Sequence, residues 1–169
     1  MRKFLAILLC CAAVCCPMWS CKDKSGQSQT ESSVQLECKR VGQPKYGYID
    51  IPVYWKGYVD EAVSDADVIQ FSDANGTNII TMKYYTDTDA QTLTLNMWGM
   101  LESSVNELTS AIVEIDGIKT YQLYGTVPEI GKIMAMWILD GSDGLTHCIT
   151  IEGTQREIFD LADTFNTDK

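Results

Sequence analysis

The stretch Ser110-Ala111-Ile112-Val113-Glu114-Ile115-Asp116-Gly117-Ile118-Lys119-Thr120-Tyr121-Gln122-Leu123-Tyr124, followed at 133–139 by Ile-Met-Ala-Met-Trp-Ile-Leu, decides the fold class. Two runs rich in β-branched and aromatic residues flank Asp116-Gly117, a pair that accepts the positive φ angles of a two-residue hairpin turn. An antiparallel pair, 110–115 with 118–124, follows. The run 133–139 is apolar at every position and reads as a central strand covered on both faces. Asp140-Gly141-Ser142-Asp143-Gly144 then turns the chain. Beyond it Leu145, His147, Ile149 and Ile151 alternate with Thr146, Cys148 and Thr150, which predicts a strand with one apolar face.

On either side of this block the period changes. Thr88 and Gln91 have the spacing of a capping box, and Leu93, Met97, Leu101 and Val105 recur every fourth residue, with Ala90 and Trp98 beside the stripe. A helix with a buried face is expected there, its Met97, Trp98 and Met100 serving as packing rather than as a cofactor pocket. Thr154 and Glu157 form a second capping-box pattern, ahead of Ile158, Leu161, Ala162 and Phe165 on one face of a final helix. Further upstream, 34–39, 46–51 (ended by Pro52), 68–71 and 78–85 read as strands, the last two joined by a turn at 72–76. The sum is an α+β fold, an antiparallel β-sheet flanked by helices, in a single domain at 34–169.

The N-terminal end has a different logic. Arg2 and Lys3 precede an uncharged apolar run at 4–16, shorter than the roughly 20 residues a membrane span needs and typical of an export signal over residues 1–20. Met18-Trp19-Ser20-Cys21 resembles the lipobox of bacterial lipoproteins, with Ser20 before the cut and Cys21 as the lipidated residue. Residues 21–33 then form the lipidated cysteine and a Ser- and Gln-rich flexible linker. Multiple acyl chains on one cysteine anchor a protein stably, which a single chain does not.

The whole chain of 169 residues carries −10. Loss of Arg2 and Lys3 leaves 11 basic against 23 acidic residues, a formal charge of −12 on the mature form. So acidic a surface excludes nucleic acid as a partner and would be repelled by an anionic bilayer, so the lipid must provide the expected membrane attachment. Of seven cysteines, four lie in the signal and one is Cys21, so only Cys38 and Cys148 could pair in an exported domain. They are read as either one disulfide or two buried thiols.

Motifs of common chemistry are missing. The sequence has no Gly-x-Ser-x-Gly, no phosphate-cradling glycine loop and no His-Glu-x-x-His, and His147 is its single histidine. No catalytic, cofactor or metal residue is therefore assigned. His147 and Cys148 are adjacent, but neighbours on a strand point to opposite faces and cannot act as nucleophile and base. The acids Asp65, Asp67, Asp73, Asp140 and Asp143 lack calcium-loop spacing and are read as turn-formers. Aromatics crowd 46–58, and Tyr54, Trp55 and Tyr58 are expected to form the rim of a binding site.

Gly47-Tyr48-Ile49-Asp50-Ile51-Pro52 with Trp55, then 115–121, the Trp137-Ile138-Leu139-Asp140 strand, Ile149-Thr150-Ile151 and Thr164-Phe165 together resemble the PsbP-like superfamily. That superfamily includes the extrinsic photosystem protein, a Ran-binding transport factor and exported lipoproteins of the DcrB and LpqN type. The resemblance implies a sheet flanked by helices and accessory roles rather than catalysis. It transfers no site residue. The expected function is a lipid-anchored extracytoplasmic module, at the bacterial cell envelope, that binds an envelope protein or small ligand. The alternatives are a small hydrolase or isomerase with a carboxylate-based pocket, and a structural envelope protein. The discriminator is the pocket: a deep cavity with two facing carboxylates or a desolvated His147 in it would favour the enzyme, and a filled core with an exposed aromatic patch the binding module.

Overall fold

The computed structural model describes residues 37–58 and 68–168. The expected signal, Cys21, the linker, positions 34–36, and Asp65 and Asp67 lie outside the described residues. Strand β8 (Lys132–Asp140) is an interior strand of the large sheet, paired antiparallel with β7 (Ile118–Val127) on one side and β9 (Thr146–Gly153) on the other. Its unbroken apolar run serves both faces: Ala135, Trp137 and Leu139 enter one core cluster, Met136 and Ile138 the other. That is the packing a continuous hydrophobic strand requires.

With β3 (Lys56–Tyr58), β4 (Val68–Ser72), β5 (Ile79–Tyr85) and β6 (Asn106–Ile115), the sheet has seven strands in the order β3-β4-β5-β9-β8-β7-β6. The β6–β7 turn is the expected one: Asp116 and Gly117 have φ of 50° and 75°, and Ile115 sits opposite Ile118. Lower down the same hairpin, a bulge between Asn106 and Thr109 faces Gly125. A side chain at Gly125 would collide with Val105 and the Asn106 carbonyl, so only glycine fits there.

Helix α1 (Ala90–Leu101) covers one face, with Ala90 and Leu93 buried against Leu123, Met136, Ile138 and Cys148. Its cap differs from the expected Thr88–Gln91 box. Asp89 is the N-cap, accepting from the Thr92 amide at 2.8 Å and the Thr92 hydroxyl at 2.9 Å, and these bonds hold its carboxyl below the usual range. Thr88 instead lends its carbonyl to the Thr146 hydroxyl at 2.7 Å, while Asp140 accepts from the Ala90 amide at 2.8 Å. A cross-chain tie thus decides the helix start. Val105, expected on the helical stripe, is buried but lies past the helix end, its amide donating to the Leu101 carbonyl at 2.9 Å.

The opposite face is covered by the β1–β2 hairpin (Cys38–Gln43 with Gly47–Pro52) and by the closing helix. Of the alternation at 34–39, the described residues place Cys38 and Lys39 in β1. The closing segment is a 3-10 helix, Arg156–Thr164, and not an α-helix; Gln155 precedes it without a side-chain cap, so the Thr154–Glu157 box does not form. Its far end is stitched to β2. The Tyr48 amide donates to the Asn166 carbonyl at 2.7 Å, the Asn166 amide returns to the Tyr48 carbonyl at 2.9 Å, and the Asp50 amide donates to the Thr164 hydroxyl at 2.9 Å.

The β4–β5 turn also confirms the structural reading of its acid. Asp73 accepts from the amides of Asn75, Thr77 and Asn78 and, at 2.7 Å, from the Asn78 side chain, whose own oxygen accepts from the Thr154 amide at 3.1 Å. One carboxylate therefore shapes the turn and fastens it to the end of β9. Replacing Asp73 with alanine is expected to lower the unfolding free energy by about 1–3 kcal/mol, with Asp73→Asn retaining part of it, as read by urea denaturation.

Candidate functional site

The aromatic rim expected at 54–58 does not form as a unit. Tyr54 is 56% exposed, whereas Trp55 is only 1% exposed and belongs to the main core cluster. The Lys39 ammonium donates to the Trp55 carbonyl at 2.6 Å, and the indole N–H is buried with no partner among the described residues. Tyr58 lies on β3, its backbone opposite Gln70. The local reason is the turn after β2: Val53 and Tyr54 occupy its exposed tip, and the Trp55 amide closes it on the Pro52 carbonyl at 2.9 Å. Trp55 is a packing residue and does not share a surface with the exposed Tyr54.

The structure likewise does not join Cys38 to Cys148. Cys38 is exposed at the start of β1, whereas Cys148 is buried against the α1 layer on the other face of the large sheet. Burial pushes the Cys148 thiol up to about 12, against smaller opposing effects of the Thr150 hydroxyl and the Lys83 charge. His147 points to the opposite face, as expected. It is wholly buried, its Nε2 3.1 Å from both carboxylate oxygens of Asp143 and its ring tilted on Phe165 at 5.5 Å between centroids. Its Nδ1 has no partner among the described residues. Asp143 also accepts from the Leu145 amide at 3.1 Å, so the pair braces the β8–β9 turn. Among the described residues no group of three or more His, Cys, Asp or Glu could hold a metal ion, and no helix is long and apolar enough to cross a membrane.

The site that the structure does build lies elsewhere. A cleft of about 480 Å³ opens between the sheet and the 3-10 helix, a volume within the usual range for small-molecule sites. Its floor comes from one pleat face of three adjacent strands: Val113 of β6, Gln122 and Tyr124 of β7, Ala135 and Trp137 of β8. Gln122 stands opposite Trp137 and Tyr124 opposite Ala135 in the ladder, so these side chains share a face by register. The wall is Arg156, Phe159, Asp160 and Asp163. Phe159 meets Tyr124 edge-on, ring centroids 6.4 Å apart.

The three-residue period of a 3-10 helix places residues i and i+3 one above the other, which stacks Asp160 and Asp163 on one edge of the wall. Both carboxylates thus come from the same side. They do not face each other across the cleft, and His147 is not among its lining residues. The desolvated histidine sits in the core, bonded to a turn. None of the cleft residues was singled out as a site from sequence. A signal was present: Phe159 lies off the apolar face made by Ile158, Leu161, Ala162 and Phe165, between two groups of charged residues.

No family model and no curated protein matches the chain. Solved structures do. The chain is similar to cyanobacterial PsbP (CyanoP) from Synechocystis sp. at 13% identity, covering 80% of this chain and 95% of that one with a TM-score of 0.57. A structure from Bacteroides thetaiotaomicron matches at 12% identity over 76% of this chain and 47% of its own, with a TM-score of 0.49. LpqN, involved in cell envelope biogenesis of Mycobacterium tuberculosis, matches at 18% identity over 76% and 84%, with a TM-score of 0.44. At such identities likeness speaks of fold alone. The CyanoP match runs over nearly that whole domain, and it agrees with the antiparallel sheet and its two helical segments: the chain has the PsbP-like fold.

Proposed function

We propose that this protein is a lipid-anchored, extracytoplasmic binding or accessory module, tethered to the bacterial envelope through Cys21, that receives its ligand in the cleft between the 3-10 helix and the sheet. The observation that supports it is the cleft itself: an aromatic floor of Tyr124 and Trp137, an aromatic and charged wall, and Tyr124 42% exposed at its mouth. A binding role is favoured over acid–base catalysis by the placement of Asp160 and Asp163 on one wall. Hydrolysis by paired carboxylates needs them on opposite sides of the scissile bond.

A photo-crosslinking side chain in place of Tyr124 is expected to capture the occupant in the native envelope, and the same group in place of Leu95, exposed on the α1 face, is expected to capture much less. Capture from position 95 alone would remove the cleft as the site. The anchor is tested apart: Cys21→Ser should move the protein from the membrane fraction to the soluble one.

A further inference from the structure

We infer that the cleft selects an organic cation, an amine or quaternary ammonium carried on an apolar body. The inference rests on the cleft being the binding site and adds the chemistry of what enters it. Three rings, those of Tyr124, Trp137 and Phe159, line one cavity, and the negative face of an aromatic ring attracts a cation held within about 6 Å of its centroid. Val113 and Ala135 complete an apolar bed for the rest of the ligand. On the wall beside Phe159, the stacked carboxylates of Asp160 and Asp163 outnumber the one guanidinium, Arg156. The local excess is therefore negative and lies next to the rings. A formal charge of −10 on the whole chain raises the concentration of cations near any cleft on its surface.

Each component matters for a different part of such a ligand. The rings can hold a methylated ammonium that offers no hydrogen-bond donor, which a carboxylate alone binds weakly in water. The carboxylates distinguish the cation from a neutral molecule of the same shape. Arg156 belongs to the row of the helix that carries Phe159, one step aside from the acids, where it would oppose a second positive charge on the ligand. A monocation is the expected class.

The test uses the full chain in a neutral maltoside detergent at physiological salt, with its Tyr, Phe and Trp ring signals followed by NMR. The probes are benzyltrimethylammonium and its anionic counterpart benzenesulfonate. The ammonium should shift the ring signals of Tyr124, Phe159 and Trp137, and the Asp160→Asn/Asp163→Asn variant, altered only at exposed positions, should bind it about ten-fold more weakly. Equal or tighter binding of the sulfonate, or ammonium binding unchanged in the double variant, would overturn the cation assignment while leaving a binding cleft. Ring signals that respond to neither probe would sink both the cation assignment and the cleft as a site.

Discussion

Replacing Trp55 with alanine is expected to lower the unfolding free energy by about 3–5 kcal/mol, the usual range for emptying a large aromatic site in a core. Replacing its neighbour, Tyr54→Ala, should change it by no more than about 0.5 kcal/mol, as for an exposed side chain away from any network. The contrast follows from position. Trp55 is among the largest fully buried side chains, packed in the cluster that holds Ile49, Ile51, Ile80 and Phe165, while Tyr54 is mostly in water. Domains of this kind have only about 5–15 kcal/mol in hand, so the Trp55 variant should approach global unfolding at growth temperature. Guanidinium denaturation of the two variants checks this, with unchanged m-values showing that the effect is on the native state. Similar midpoints for both would mean that Trp55 does not carry the core on this face. A binding defect in Trp55→Ala would then have to be read as loss of fold, not of contact.

The same pair of residues shows where sequence reasoning succeeds and where it stops. The β6–β7–β8 block was legible because each element carries its own signal: Asp116-Gly117 supplies the turn, and seven apolar residues in a row leave no solvent face. His147 and Cys148 were placed on opposite faces by the pleat alone. Trp55 and Tyr54 were not separable, because which of two neighbours in the turn between β2 and β3 faces inward depends on the distant side chains of the core cluster that Trp55 enters. That is long-range information.

The closing helix illustrates a second limit. Ile158, Leu161, Ala162 and Phe165 fit a period of 3.6, and the sequence carries a capping pattern, yet the segment is 3-10. Its ends are held by other elements. It must run from the end of β9 at Gly153 to Asn166, whose backbone is bonded on both sides to Tyr48 of β2. A 3-10 helix rises about 2.0 Å per residue against about 1.5 Å for an α-helix, so over the same residues it reaches about a third farther. Ties to two separate strands at its ends are tertiary information that the local pattern does not carry. The cleft inherits the same difficulty: its floor is drawn from three strands and its wall from a helix whose type the local pattern did not give, so no window of sequence contains it.

The thiol of Cys148 gives the second large effect, and it is one of pH. Burial raises its pKa from an ordinary 9.0 to about 12 in the folded protein. The folded state then keeps a proton that the unfolded chain releases, so between those values the unfolded state is the less protonated one and stability falls as pH rises. The contribution is complete below about pH 9 and is lost as the pH climbs through about 12, amounting to about 4 kcal/mol over the whole interval. Lys83 and Thr150 act in the other direction and moderate it. Tyrosines and lysines titrate in the same window, so the wild type alone is not informative. Cys148→Ala isolates the thiol: it forfeits packing near neutral pH, but its urea midpoint should decline less steeply above pH 9, and the gap between the two proteins should close. Parallel curves would show that the site is not dry. Labelling gives an independent check. A buried neutral thiol reacts only when the strand opens, so alkylation of Cys148 followed by mass spectrometry should track the unfolding equilibrium in urea instead of the thiolate fraction set by pH. A label that appears in the native protein at pH 8 would place the sulfur within reach of solvent, and with it the β9 face that α1 is held to cover.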